Sequence, residues 1–245
     1  METMNELEDV KNQKWFYEFN LPDGSITESY LPQVARQVHA TRQKALRHYL
    51  RGWGSDGATA FDISCHEGFF TLMLREYFHF VVGLDKNVES LLKAKQISSL
   101  LGHPEIDFQH STLEDWSEDR CADFVLCFGL LYHVENPIQI LRKLSAVTLK
   151  TLCIETQVLP YAVTGPIEDG SYLWQRETCG LFGLCVDYSH RPEGGLTDLA
   201  LVPSRQALEF LLLHLGFKTV TFYKPDIDDY EQFVRGHRVV IFAER

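Results

Sequence analysis

Residues 58–70 read ATAFDISCHEGFF, and the fold turns on how this stretch is read. Its first half, through Ser64, is a short apolar run of the kind that lies buried on both faces of a parallel sheet. Its second half turns through Cys65, His66, Glu67 and Gly68, then passes straight into the helical pattern of Phe69 to Leu74. A strand that ends in a tight turn and feeds a helix presents backbone N–H groups at the carboxyl edge of a sheet, where nucleotide-like ligands bind. The stretch is therefore read as a cofactor loop.

Downstream the chain alternates regularly. A helix over about 68–78 is followed by the strand HFVVGLD ending at Asp85, a helix over about 88–101 capped by Asn87, and a weaker strand, IDFQHS. Then come ADFVLCFG (122–129), a helix from Pro137 to about Val147, and TLCIETQ (151–157). Strands and helices in this rhythm imply right-handed crossovers and a parallel sheet with helices on both faces. Ser204 caps the apolar helix RQALEFLLLHLGF, and FKTVTFY and HRVVIFAER supply two closing strands.

Between Val158 and Val202 the rhythm breaks. The stretch is rich in glycine and carries Tyr161, Tyr172, Trp174, Phe182 and Tyr188 without a period. A long insert at the carboxyl edge of a sheet is usually functional, so 158–202 is expected to form a lid over the substrate. Upstream, residues 1–14 are polar and expected to fray, KWFYEFNL reads as a short strand or ordered arm, and a helix of about 18 residues begins at Pro32. The expected organisation is an extension over 1–57, packed on a single domain over 58–245.

The chain has 245 residues and a formal charge of −11, with 45% apolar and 23% charged residues. One core of this size needs no second domain. No apolar run approaches the roughly 20 residues of a membrane span, and the amino terminus lacks a secretory pattern, so a cytoplasmic protein with no membrane partner is expected. The six cysteines show neither paired nor zinc-type spacing, and no metal site is expected. The acidic balance disfavours a large nucleic-acid partner.

Three acidic signals fall at successive strand ends. Asp62 to Gly68 is the loop itself. Asp85 follows Asp62 by 23 positions, close to the spacing at which a carboxylate accepts from ribose hydroxyls. The segment Leu113, Glu114, Asp115 follows the third strand, where a side chain can meet an adenine amine.

The motifs FDISCHEG, VVGLD, STLED and DFVLCFGLLYHVENP, spread over about 58–245, resemble the class I S-adenosylmethionine-dependent methyltransferases. GLLYHVENP, the Ile-Glu-Thr ending the fifth strand and PSRQALEFLLLHLGF further resemble the group containing the tRNA wobble-uridine carboxymethyltransferases and related uncharacterised methyltransferases. This resemblance implies a Rossmann-like α/β fold of seven mostly parallel strands closing in a C-terminal antiparallel hairpin. It implies S-adenosyl-L-methionine as cofactor, with Asp85 at the ribose, Lys86 among the cofactor contacts, and Leu113 with Glu114 or Asp115 framing the adenine. Asp62 and Gly68 would shape the methionine side with Ser64 near it, Cys65 and Phe69 would be further cofactor contacts, and Phe128 and Gly129, followed by Leu130, would lie beneath the sulfonium. Ser64 stands where the family motif has its first glycine. A serine lacks free access to positive φ, so the loop is expected to take a different path or to displace the cofactor.

Methyl transfer needs alignment of nucleophile, methyl and sulfur, and a base only for a protonated acceptor. His133 is the first candidate base, with Tyr132 positioning, and Glu155 and His190 follow. Plain structural readings stand beside some of these roles: His133 also fits a helix-end or core histidine satisfied by a carbonyl, and Asp62 a group that ties the loop backbone. The leading expectation is O- or N-methylation of a small metabolite or natural-product intermediate. The alternatives are a tRNA-modifying transferase using Arg36, Arg42, Lys44, Arg47 and Arg51, and a catalytically degenerate partner or regulatory protein, which Ser64 would favour. A nicotinamide oxidoreductase ranks lower, because the turn lacks the glycines a pyrophosphate requires.

Overall fold

The computed structural model describes residues 2–53, 57–116, 120–168, 175–187 and 195–245, with side chains from residue 6 onward except at 168 and 175. Tyr172, Trp174, Tyr188 and His190 lie outside the described residues. The chain opens with α1 (Glu2–Lys11), the two-residue strands β1 (Lys14–Trp15) and β2 (Glu28–Ser29), and α2 (Gln33–Leu50). The alternating part runs β3 (Thr59–Ile63), α3 (Phe69–Arg75), β4 (Phe80–Asp85), α4 (Val88–Leu100), β5 (Asp107–His110), β6 (Ala122–Phe128), α5 (Pro137–Val147) and β7 (Thr148–Gln157). The insert contributes β8 (Gly165–Glu168), β9 (Gln175–Thr178), β10 (Phe182–Val186) and β11 (Leu199–Pro203). The chain closes with α6 (Arg205–His214), β12 (Thr219–Phe222), α7 (Glu231–Val234) and β13 (Arg238–Glu244).

Seven strands form one sheet in the order β12-β13-β7-β6-β3-β4-β5. β13 is antiparallel to both its neighbours, and the other pairings are parallel. This is the Rossmann-like sheet expected from the sequence, closing hairpin included. The order reverses at β3 and β6, so their carboxyl ends diverge and leave a crevice.

Side-chain alternation splits the core into two layers. Phe124, Leu126 and Phe128 of β6 join the layer beneath α2 and α3, while Val125 and Cys127 join the layer beneath α5 and α6. β13 divides the same way, with Val240 and Phe242 on one face and Val239, Ile241 and Ala243 on the other. α2 seals the first layer by stacking Tyr49 on Phe242, with ring centroids 4.1 Å apart. The expected caps are present: Asn87 accepts from Glu89 and Ser90 N–H groups, and Ser204 from Ala207 N–H.

Two stretches depart from expectation. Residues 2–11 are helical rather than frayed, because Val10 is fully buried and the Trp15 indole donates to Val10 O at 2.9 Å. The described part of the insert is not irregular: β8 pairs with β9, and β10 with β11, each antiparallel. Along β11, Ala200 and Val202 are buried and Leu199 is exposed, so the alternation exists but is written in apolar residues on both faces. Among the described residues no helix is long and apolar enough to cross a membrane.

Candidate active site

Ser64 adopts φ 65° and His66 φ 52°, so the loop after β3 takes the left-handed backbone that the sequence was expected to avoid. A non-glycine residue in this region costs about 1–2 kcal/mol. The surroundings impose it. Cys65 N–H donates to Leu84 O at 2.9 Å, His66 N–H to Asp85 Oδ2 at 2.8 Å, and Gly68 N–H to Cys65 O at 2.9 Å. Gly68, at φ 76°, admits no side chain, since a Cβ there would stand 2.9 Å from the Phe108 ring. The serine therefore keeps a glycine-like path, and its side chain borders the cavity described next.

The carboxyl ends of β3, β4, β5 and β6 enclose a cavity of about 310 Å³. Ile63, Ser64 and His66 line it from β3, Leu84, Asp85, Lys86 and Asn87 from β4, and Ser111 to Glu114 from β5. Phe128, Gly129, Leu130, Tyr132 and His133 follow β6, while Phe16, Tyr17 and Arg42 close it from the amino-terminal side, and Gly195 to Thr197 from the insert. Asp85 is buried, with Oδ1 accepting from Asn87 N–H at 2.8 Å and Oδ2 from His66 N–H. Lys143 donates to the carbonyls of Leu113, at 3.2 Å, and Glu114, fixing the segment after β5.

Not every expected site residue reaches this space. Ser64, Asp85, Lys86, Leu113, Glu114, Phe128, Gly129, Tyr132 and His133 line it, whereas Asp62, Cys65, Gly68, Phe69, Asp115 and Glu155 do not. Asp62 is buried behind the loop, accepting from Thr71 Oγ1 at 2.6 Å, and burial pushes its carboxyl up to about 7. Cys65 is buried, Phe69 stacks on Tyr17 at 4.9 Å, and Asp115 closes a local turn with Thr112.

Glu155 has a different place from that of a base. It is fully buried and ion-paired to both Arg42 and Arg238, the latter at 2.6 Å. Burial raises its carboxyl, but Arg238 and then Arg42 outweigh that and hold it below the usual range. A carboxylate so held is a poor proton acceptor. Its effect is to seat two guanidinium groups: Arg42 against the cavity, 5.9 Å from the Phe128 ring centroid, and Arg238 donating to Tyr132 Oη at 3.3 Å. Two arginines against one glutamate leave a surplus positive charge at the wall, and Arg42 Nε has no hydrogen-bond partner among the described residues.

His133 Nδ1 lies 3.0 Å from both carboxylate oxygens of Asp187, just beyond β10. Burial lowers His133, and Asp187 partly opposes this. Arg42 could have been noticed as an arginine on the inward stripe of α2 beside Thr41, Ala45 and Leu46. Asp187 sits in an insert without period and carried no signal. Among the described residues no group of three or more His, Cys, Asp or Glu is placed to hold a metal.

A family model described as "Methyltransferase domain" matches residues 55–179. No curated protein sequence matches the chain. Among solved structures, the N-terminal domain of EvdMO1 in the presence of SAH and D-fucose superposes with a TM-score of 0.69 at 19% identity, covering 99% of this chain and 94% of that one. The magnesium protoporphyrin IX methyltransferase of Synechocystis PCC 6803 with bound SAM gives 0.59 at 13% identity, over 89% and 86%. The Burkholderia thailandensis 1,6-didemethyltoxoflavin-N1-methyltransferase, with its substrate and S-adenosylhomocysteine bound, gives 0.56 at 17%, over 87% and 81%. The family match spans half the chain and falls on the loop, the Asp85 strand and the Phe128 strand, so the chain belongs to the methyltransferase-domain family and is an S-adenosylmethionine-dependent methyltransferase domain.

Proposed function

We propose that the protein methylates a small organic acceptor held in the cavity beyond the carboxyl ends of β3 and β6. The observation that carries this reading is the cavity itself: a concave, partly apolar space closed by the amino-terminal arm on one side and the insert on the other. Such a space suits a small molecule better than a duplex or a stem. The similar structures whose names give a substrate also act on small molecules.

The residues fit the cofactor. Asp85 would accept from the ribose hydroxyls, since each carboxylate oxygen can accept more than one hydrogen bond. Leu113 and Glu114 would border the adenine, and Lys86, next to Asp85, would lie near the ribose. Ser64, His66 and Gly129 border the methionine portion, and the surplus charge at Arg42, with its unpartnered Nε, matches a methionine carboxylate. When bound, S-adenosylmethionine supplies an electrophilic methyl on a sulfonium. The chain's part is to align the acceptor with it, exclude water and hold the proton of a protonated acceptor at His133. The loop's glycine-like path at Ser64 supports an active enzyme over a degenerate partner.

The tRNA reading drew on arginines and a lysine of α2. Arg36, Lys44 and Arg47 pair with Glu18, Asp226 and Asp229, and Glu76, and Arg42 is buried against Glu155. Of the five, Arg51 alone, at the C-cap of α2, is exposed and outside these pairs, which leaves little positive charge there for phosphates. The deciding experiment supplies methyl-labelled S-adenosylmethionine with a low-mass metabolite fraction and, separately, with total tRNA. Label recovered in the low-mass fraction is expected, and label in tRNA alone would overturn the reading.

A further inference from the structure

We propose that Asp187 is a positioning residue for His133, and that the pair marks the methyl acceptor as a neutral hydroxyl that loses its proton as it reacts; this rests on the methyl-transfer reading above. His133 ends the 3₁₀ turn Leu131–His133 after β6, and its ring lines the cavity. Asp187 comes from the insert and is held on three sides. Its N–H donates to Asp198 O at 2.8 Å, Oδ1 faces His133 Nδ1, and Oδ2 accepts from Gly195 N–H at 2.6 Å. Gly195 passes so close that a Cβ would stand 2.2 Å from His133 O and 2.5 Å from Asp187 Oδ2. Only glycine fits there, so the backbone itself clasps the pair.

The arrangement fixes the tautomer. A carboxylate only accepts, so Nδ1 carries the ring proton and Nε2 keeps its lone pair. Among the described residues Nε2 makes no hydrogen bond, which leaves it to a ligand. The charged groups around the ring are Asp187 from the insert, Lys86 after β4 and Arg238 on β13, with the Tyr132 ring 4.3 Å away. Burial, helped by Lys86 and Arg238, outweighs Asp187 and keeps the imidazole neutral, the form that takes up a proton.

The dyad itself selects among acceptors. A carboxylate acceptor is already ionised at neutral pH and gives the dyad no proton to remove. A neutral amine already carries the lone pair that attacks and sheds its proton to solvent afterwards, so it does not need the dyad in the bond-forming step. A hydroxyl is neutral on arrival and becomes a strong nucleophile only as its proton departs, which is the step that the dyad serves. In the step, the acceptor O–H bond breaks and the proton goes to His133 Nε2. The oxygen's electron pair forms the O–CH3 bond while the pair of the breaking S–CH3 bond stays on sulfur. His133 then releases the proton to solvent.

Two measurements test this. Imidazole ¹⁵N spectra, with the His133 signal identified by its loss in His133→Gln, read the tautomer without any cofactor. The Nδ1–H form and a pKa below the ordinary imidazole value are expected, and Asp187→Asn should mix the tautomers and lower the pKa further. The second offers matched phenol, aniline and benzoate acceptors with methyl-labelled S-adenosylmethionine. Label should enter the phenol, Asp187→Asn should slow transfer about tenfold or more, and the acid limb of its kcat/KM profile should move to lower pH. An Nε2–H tautomer, a tautomer and pKa indifferent to Asp187→Asn, or label in aniline or benzoate would overturn the proposal. Absence of S-adenosylmethionine binding by calorimetry, with the tautomer as expected, would overturn the methyl-transfer reading and leave the Asp187 assignment standing.

Discussion

The buried carboxylate of Glu67 accepts from the backbone N–H of Phe16 at 2.7 Å, tying the amino-terminal arm to the loop after β3. The same oxygen accepts from Tyr17 N–H at 3.3 Å, and the other from Lys93 Nζ at 3.1 Å. Phe16 and Tyr17 are cavity walls, so Glu67 couples the fold of the arm to the shape of the site. Glu67→Ala would strip an acceptor from two backbone donors and an ammonium. At about 1–3 kcal/mol for a buried group left unsatisfied, a loss of about 3 kcal/mol is expected, with weaker cofactor binding. Glu67→Gln keeps a carbonyl acceptor and should lose less. Urea melts and calorimetry on both variants check this, and an unchanged midpoint in Glu67→Ala would refute the coupling.

The sheet was legible because its strands are short apolar runs whose two faces both need covering, as Phe124 and Val125 show by facing opposite layers. The rim of the cavity was legible for a related reason: Asp85 and Phe128 end strands, Ser64 and Leu113 follow them, and in a parallel sheet strand ends converge on one edge. What was hidden arrives from elsewhere in the chain. Arg42 sits on the inward stripe of α2, but nothing in the helix names its partner, because its ion pair is with Glu155, 113 positions away. Glu67 reads as a polar loop residue because its partners are backbone N–H groups, which leave no mark in a sequence. Asp187 depends on a local hairpin whose strands are apolar on both faces, so period-2 patterning does not reveal it.

Ser64→Gly should stabilise the protein. Glycine visits positive φ freely, so the substitution relieves about 1 kcal/mol of backbone strain, partly offset by the greater freedom of the unfolded chain. For a domain of this length that corresponds to a rise of about 2–4 °C in Tm. Because Ser64 already follows the glycine path, affinity for S-adenosylhomocysteine should change by less than about threefold, or roughly 0.6 kcal/mol. A variant that binds where the wild type does not would show that the serine side chain, not the backbone, impairs the site.

Asp62 predicts a pH dependence. Its carboxyl, raised by burial to about 7, stays protonated in the folded protein through a range in which the unfolded chain has released that proton. Its contribution to stability is therefore full below the ordinary carboxylate value and declines as pH rises toward 7, on the order of 1.4 kcal/mol for each pH unit crossed. Asp62→Asn keeps an acceptor for Thr71 Oγ1 and carries no charge to bury. Melting from pH 5 to pH 8 should show the wild type losing stability relative to this variant, and parallel curves would contradict the assignment.

Arg42 and Glu155 separate binding from folding. Glu155→Gln leaves two buried guanidinium groups facing each other with no counter-charge, and breaking a buried pair in this way costs about 3–5 kcal/mol. Arg42→Met removes one of the two positive charges and leaves Arg238 paired with Glu155 at 2.6 Å, so the remaining cluster is neutral and the fold should lose less. Binding should follow the opposite order. If Arg42 meets the methionine carboxylate, Arg42→Met lowers affinity for S-adenosylhomocysteine by a factor of ten or more, about 1.4 kcal/mol. Analogues separate charge from contact: 5′-methylthioadenosine, which lacks the amino acid, should bind wild type and Arg42→Met alike. Equal losses for both ligands would place Arg42 away from the carboxylate and return it to a purely structural partner of Glu155.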